Sequence, residues 1–106
     1  MAILEMPVRG DVPEYQFRLE LQGTVYTFRF KWNTRMERWI MDIADEQDND
    51  ILNGIVVQAN VDLKQRFRQT TLPPGLFLAF DETGAARNPD RDTFGNEVKL
   101  FYEESA

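Results

Sequence analysis

Clustered carboxylates are the first feature of this sequence that could do chemistry, because hard cations such as Ca²⁺ prefer oxygen ligands. Asp45, Glu46, Asp48 and Asp50 lie together in one short segment. Their spacing does not fit an EF-hand calcium loop, which needs acids at alternate positions followed by a glycine. A solvated acidic turn is therefore favoured over a weak cation site, and no metal ligand is assigned.

The missing residue types exclude several chemistries. The sequence has no His and no Cys, and its single Ser is Ser105, next to the C-terminus. Ser-His-Asp and Cys-His catalysis, zinc binding by His and thiolate, and disulfides are therefore excluded within one chain. Paired carboxylates can hydrolyse glycosides, but among 18 Asp and Glu nothing in the sequence raises the pKa of one above another. We expect no catalytic residue and no cofactor.

The charge balance argues against a nucleic-acid partner. The chain has 12 Lys and Arg against 18 Asp and Glu, a net charge of −6, whereas binding to phosphates needs a cationic surface. The local basic cluster of Lys64, Arg66 and Arg68 is better suited to docking on an acidic protein surface. The segment 81–87 lacks the Gly-Lys-Ser/Thr end of a phosphate-binding loop, so a surface loop is favoured there.

The alternation of apolar and polar residues predicts the β-strands of this chain. Apolar side chains occupy the odd positions of 15–21 and the even positions of 26–32, with polar residues between them. A period of two is typical of strands with one buried face. The parity changes across Gln22-Gly23, which predicts a tight turn between two antiparallel strands.

This pattern also predicts the register of two hairpins. The first turn places Phe17 opposite Phe28, and a second turn within 33–38 places Trp32 opposite Trp39. The other predicted pairs are Leu19 with Tyr26, Tyr15 with Phe30, Glu14 with Lys31, Phe30 with Met41, Phe28 with Ile43, and Asp42 with Arg29. The aromatic rings then share one face, and we interpret them as core and not as a binding platform.

The remaining segments complete a mainly β domain. Further elements are predicted as a strand over 51–57, either regular or with a bulge at Gly54, a short helix over 60–67, a strand buried on both faces over 76–80, a long loop over 81–95 and a last strand over 98–102. The fold is expected to be a small antiparallel barrel or sandwich of about six strands with one short helix. A single domain over 1–106 is expected, with no signal peptide and no membrane span of about 18 apolar residues.

Short motifs follow one another in a defined order along nearly the whole chain. They are Met6-Pro7-Val8, Tyr15-Gln16-Phe17, Trp32-Asn33 with Trp39, Asp62-Leu63, Leu72-Pro73-Pro74-Gly75-Leu76 and Gly95-Asn96-Glu97-Val98-Lys99-Leu100-Phe101-Tyr102. In this order and spacing they resemble the small baseplate plug family of contractile-tailed phages. The resemblance implies a structural virion component of the tail baseplate, made in the host cytoplasm, with no catalytic residue and no cofactor.

The leading hypothesis is a protein that packs in several copies against hub, tube or wedge neighbours in the phage tail, without nucleic acid or membrane. Ile3, Leu4 and Met6 precede the core alternation, so a partner is expected to cover them, with an ordinary edge strand as the equal alternative. Arg66 and Arg68 are expected to join this interface. The main rival is a small ligand- or carbohydrate-binding β module; a binder of single-stranded nucleic acid and an enzyme rank lower.

Overall fold

A computed structural model describes residues 3–60, 63, 73 and 75–104. Within these residues the chain forms seven strands and no helix. The strands are β1 (Ile3–Glu5), β2 (Glu14–Leu21), β3 (Thr24–Asn33), β4 (Arg38–Asp45), β5 (Asp50–Val56), β6 (Leu76–Asp81) and β7 (Val98–Glu103). They form a four-stranded antiparallel sheet in the order β2-β3-β4-β5 and a three-stranded one in the order β1-β7-β6. The mainly β prediction is confirmed, and the architecture is a sandwich, not a closed barrel.

The meander of β2, β3 and β4 has the predicted register. Phe17 pairs with Phe28, and Trp32 pairs with Trp39. The other predicted pairs are also present: Leu19 with Tyr26, Tyr15 with Phe30, Glu14 with Lys31, Phe30 with Met41, Phe28 with Ile43, and Arg29 with Asp42. The first turn has positive φ at both central residues, 51° at Gln22 and 88° at Gly23. Such turns match the right-handed twist of the flanking strands.

Of the two alternatives for β5, the strand with a bulge is the one present. Met41 pairs with Ile55 and Ile43 with Leu52, so β5 has one more residue than β4 between these two pairs. Gly54 lies in the bulge at φ 81°, and its N–H donates to Asp42 Oδ1 at 2.8 Å. A glycine suits this position because it adopts a positive φ without steric cost.

Aromatic rings fill the space between the two sheets. The ring of Phe28 lies 5.7 Å from that of Phe77 on the opposite sheet. Phe94, which precedes β7, lies 5.6 Å from Phe30 and 5.4 Å from Trp39. Ring pairs at this separation contribute about 0.5–1.5 kcal/mol beyond their burial. The aromatic stripe of the meander is therefore interior, as predicted.

The prediction that 76–80 is buried on both faces is wrong. Phe77 and Ala79 are buried against the other sheet, whereas Leu76, Leu78 and Phe80 are exposed on the opposite side. A run of apolar residues does not specify what covers its second face, and among the described residues no second layer does so.

Two other predictions concern the segments at the two edges of this sheet. The segment ahead of the core alternation forms an edge strand, β1, paired with β7, which is the additional strand beyond the six expected. The predicted helix over 60–67 lies outside the described residues except for Asn60 and Leu63.

Candidate partner-binding face

The outer side of the three-stranded sheet carries exposed apolar side chains. Leu76, Leu78 and Phe80 of β6 are 45%, 37% and 46% exposed, and Ile3 of β1 is 64% exposed. Phe101 of β7 lies between the two strands, paired with Leu78 on one side and Glu5 on the other. These five apolar residues are called the outer apolar face. Contiguous exposed apolar patches mark interaction sites more often than isolated apolar residues do.

Sequence analysis identified only Ile3 among the members of this face. A period of two predicts that only the odd-numbered residues of β6 face the other sheet, and Phe77, Ala79 and Asp81 are the buried ones. The even-numbered residues of that strand are then available for a partner. The apolar run instead predicts burial within one chain, which the structure does not show.

Charged side chains flank the outer apolar face at both ends of β7. Lys99 and Glu103 lie on the same side of the sheet as Phe101, one at each end of the face. Lys99 Nζ is 3.7 Å from Glu5 Oε1 and 3.4 Å from Glu82 Oε1. The face is thus an apolar strip with Lys99 and its two acidic partners at one end and Glu103 at the other.

The edges of this sheet are poorly suited to adding a strand from another chain. Beside β6, Asn60 N–H donates to Ala79 O at 2.9 Å and Leu63 N–H donates to Phe77 O at 3.0 Å. The opposite edge, β1, has 3 residues. Short or covered edges discourage edge-to-edge pairing. A partner is therefore expected to contact the face of the sheet and not its edges.

The predicted interface residues differ in their exposure to solvent. Ile3 and Leu4 are exposed, as a partner contact requires. Met6 is 1% exposed and its N–H donates to Leu100 O at 2.8 Å. The chain itself covers Met6, which corrects the expectation that a partner does so. Arg66 and Arg68 lie outside the described residues.

The loop that follows β6 is anchored by one buried carboxylate. Asp81 Oδ1 accepts from Thr83 Oγ1 at 2.6 Å and from Thr83 N–H at 2.9 Å, while Oδ2 accepts from Arg87 Nε at 2.8 Å and from Arg87 N–H at 3.1 Å. Hydrogen bonds from Arg87 and then Thr83 hold the pKa of Asp81 far below its usual range. The carboxylate of Asp81 therefore holds the turn in place through these hydrogen bonds, and the segment is a structural loop.

We predict that Asp81→Asn destabilises the protein and reduces its loss of stability in acid. Because the folded state lowers the pKa of Asp81, the carboxylate stabilises the fold above its unfolded pKa of about 4 and this contribution is lost as the pH falls from about 5. The amide of asparagine would also direct a donor at Arg87. Thermal unfolding of both proteins in a pH series measures the effect.

Asp11→Asn is the matched control for this experiment. Arg9 lowers the pKa of Asp11 to about 2, but the two side chains are 56% and 65% exposed. Exposed ion pairs contribute little to stability, so the melting temperature should change little. A pH profile of Asp81→Asn that parallels the wild type would contradict the role given to Asp81.

The far end of the loop is also attached to the body of the protein. Trp39 Nε1–H donates to Asp90 O at 3.2 Å, and Arg91 Nε–H donates to Gly10 O at 2.8 Å. Asp90 Oδ1 accepts from Thr93 Oγ1 at 2.9 Å. The segment 81–95 therefore presents a fixed surface beside the sandwich.

The carboxylates of the acidic turn between β4 and β5 have hydrogen-bond and ion-pair partners within the chain. Asp45 Oδ1 accepts from Asn49 N–H at 2.9 Å, and this hydrogen bond is the main cause of the lowered pKa of Asp45. Arg29 lies 3.0 Å from Asp50 and 3.5 Å from Asp48. In the described ranges no group of acids is arranged to hold a metal ion.

A shallow depression of about 400 Å³ lies on the outer side of the four-stranded sheet. Its lining residues are Glu14, Tyr15, Gln16, Arg29, Phe30, Lys31 and Asp42. Sugar- and ligand-binding sites usually present apolar and aromatic walls with a few polar groups, whereas Phe30 is fully buried here and the rim is charged. This depression gives no support to the ligand-binding alternative.

The fold and the face together define a class of protein. A small β-sandwich that exposes an apolar strip, and in which Asp45, Asp50 and Asp81 are used in turns and ion pairs, is typical of a structural domain that packs against other proteins. No helix in the part of the chain described is long and apolar enough to cross a membrane.

Comparison with known proteins gives the family. The family model described as cyanophage baseplate Pam3 plug gp18 matches residues 3–105. The chain belongs to this family of baseplate plug proteins, which indicates a structural component of the phage tail baseplate that associates with other baseplate proteins. A search of curated proteins finds no match.

Proposed function

We propose that this chain is a non-catalytic packing subunit of a contractile tail baseplate, next to the hub and tube and present in several copies. The outer apolar face is the observation that carries the proposal. Burying one large apolar side chain contributes about 1.5–3 kcal/mol, so a neighbour that covers these residues gains affinity without any chemistry. Membership of the plug family supports the location in the baseplate.

The proposed contacts extend beyond this face. Together with Ile3 of the face, its neighbour Leu4, the anchored loop 81–95, and Arg66 and Arg68 are proposed to meet hub, tube or wedge neighbours. A rigid sandwich with a fixed loop suits a passive role, because little conformational entropy is lost on docking. The net charge of −6 disfavours a nucleic-acid partner. The protein is proposed to be made in the host cytoplasm and then assembled into the virion.

Co-expression with neighbouring tail proteins tests this proposal. We expect the chain to co-elute with at least one hub, tube or wedge protein in size-exclusion chromatography. Phe80→Asp should reduce co-elution because it places a charge on the outer apolar face, where a neighbour is expected. Met36→Asp changes a residue of similar exposure in the β3–β4 turn and should leave co-elution unchanged.

The opposite result would favour the ligand-binding alternative. The chain would then co-elute with no tail protein, and a thermal-shift screen of sugars and small metabolites would find a ligand that raises its melting temperature. Melting curves of both variants, measured alone, separate a lost contact from a lost fold.

A further inference from the structure

We infer that the outer apolar face is an interface between two copies of this chain. The two copies are related by a two-fold axis that lies between the facing sheets, perpendicular to the strands, and passes over Leu78 and Phe101. The inference rests on the proposed function only for the biological role of the contact, since the contact is a property of the isolated chain.

The strand register makes the face self-complementary under this operation. Leu78 pairs with Phe101 across β6 and β7, and Leu76 and Phe80 lie on the same side, one at each end of β6. The two-fold rotation reverses the strand direction about this central pair. Leu78 of one chain then faces Leu78 of the other, and Phe101 faces Phe101. The rotation also brings Leu76 of one chain opposite Phe80 of the other, so apolar residues meet apolar residues along the whole of β6.

The charged residues of β7 favour this arrangement over one with a two-fold axis parallel to the strands. Lys99 and Glu103 occupy the two ends of the outer side of β7, with Phe101 between them. The proposed axis places Lys99 of each copy opposite Glu103 of the other. A two-fold axis parallel to the strands and passing above β7 would place Lys99 against Lys99 and Glu103 against Glu103, which is repulsive. Self-complementarity of this kind is what a closed dimer interface requires.

Two further features are compatible with this packing. Facing sheets lie about 10 Å apart, a distance that Lys and Glu side chains span together. Glu5 is the one like-charged position that the axis brings near its own copy in the described part of the sheet. Its charge is offset within each chain by Lys99, whose Nζ lies 3.7 Å from Glu5 Oε1.

Sedimentation equilibrium of the purified full-length chain tests the inference. With rising protein concentration the wild type should approach twice the monomer mass of 12.4 kDa. Leu78→Asp places two like charges on the axis and should remain monomeric over the same range. Met36→Asp replaces an apolar residue that is 48% exposed but lies away from this face, and it should dimerise like the wild type.

Exchanging the charges tests the predicted pairing directly. Glu103→Lys alone and Lys99→Glu alone should each weaken the homodimer about tenfold, because two attractive exposed pairs become repulsive. When the two variants are mixed, Lys faces Glu at both sites, so a heterodimer that is tighter than either variant homodimer should form. Restoration on mixing would not occur if these substitutions acted only by disturbing the fold.

Two outcomes overturn the inference. One is a wild type that stays monomeric at every concentration; the other is a mixture of the charge variants that forms no heterodimer. A monomeric wild type that still co-elutes with tail proteins overturns the dimer but leaves the proposed function intact, and the face then belongs to another tail protein. A dimer that responds to charge exchange as expected, but co-elutes with no tail protein, supports the inference and counts against the proposed function.

Discussion

Gly95→Ala is expected to destabilise the protein by about 3 kcal/mol or more, the sum of backbone strain and a steric clash. Gly95 has a φ of 81°, a conformation that costs an L-residue about 1–2 kcal/mol. An added Cβ would also collide with the carbonyl oxygen of Val8 and approach Arg9 Cα at 3.1 Å. The backbone at Val8 cannot easily move, because the Val8 side chain belongs to the core and Met6 N–H is bonded to Leu100 O.

Gly54→Ala provides a control with the same backbone conformation. Gly54 also has a φ of 81°, but no atom lies within 4 Å of an added Cβ. It should therefore show only the backbone strain, about 1–2 kcal/mol. Urea unfolding followed by Trp fluorescence measures both variants. Equal losses of stability would show that the N-terminal segment does not pack against Gly95 as described.

The meander could be predicted from the sequence because each signal there is local. The change of parity at Gln22-Gly23 fixes both the turn and the register, and a slip by one residue would put Phe28 against Arg18. The charged pair of Arg29 and Asp42 agrees with the same register. Local turn chemistry and the pattern of burial therefore favour one arrangement.

The three-stranded sheet could not be predicted in the same way, because its pairings join distant parts of the chain. Ile3 pairs with Glu103, and no turn connects these strands to suggest it. The same lack of a local signal explains the error over β6, where the alternation that would separate Phe77 from Leu78 is hidden by apolar residues on both sides. The candidate site lies on this sheet, so most of the site was also missed.

Phe28→Ala is expected to cost about 3–5 kcal/mol of the free energy of unfolding, the usual range for deleting a buried aromatic ring. Phe28 is fully buried, and its ring lies 5.8 Å from Phe17 and 5.7 Å from Phe77. Its removal leaves a cavity between the two sheets that neither sheet can close without losing other contacts. Because total stability is about 5–15 kcal/mol, this single change should remove a large share of it.

Phe80→Ala removes the same atoms from the outer surface of the sandwich instead of its core and is the matched control. Phe80 is 46% exposed in the isolated chain, so its loss should change the free energy of unfolding of the monomer far less than Phe28→Ala does. The substitution should instead weaken the dimer, because Phe80 meets Leu76 of the second copy. Urea unfolding at low protein concentration separates the two effects, and sedimentation at high concentration measures the second. If both variants lost the same stability as monomers, the division of the aromatic residues into core and contact surface would be wrong.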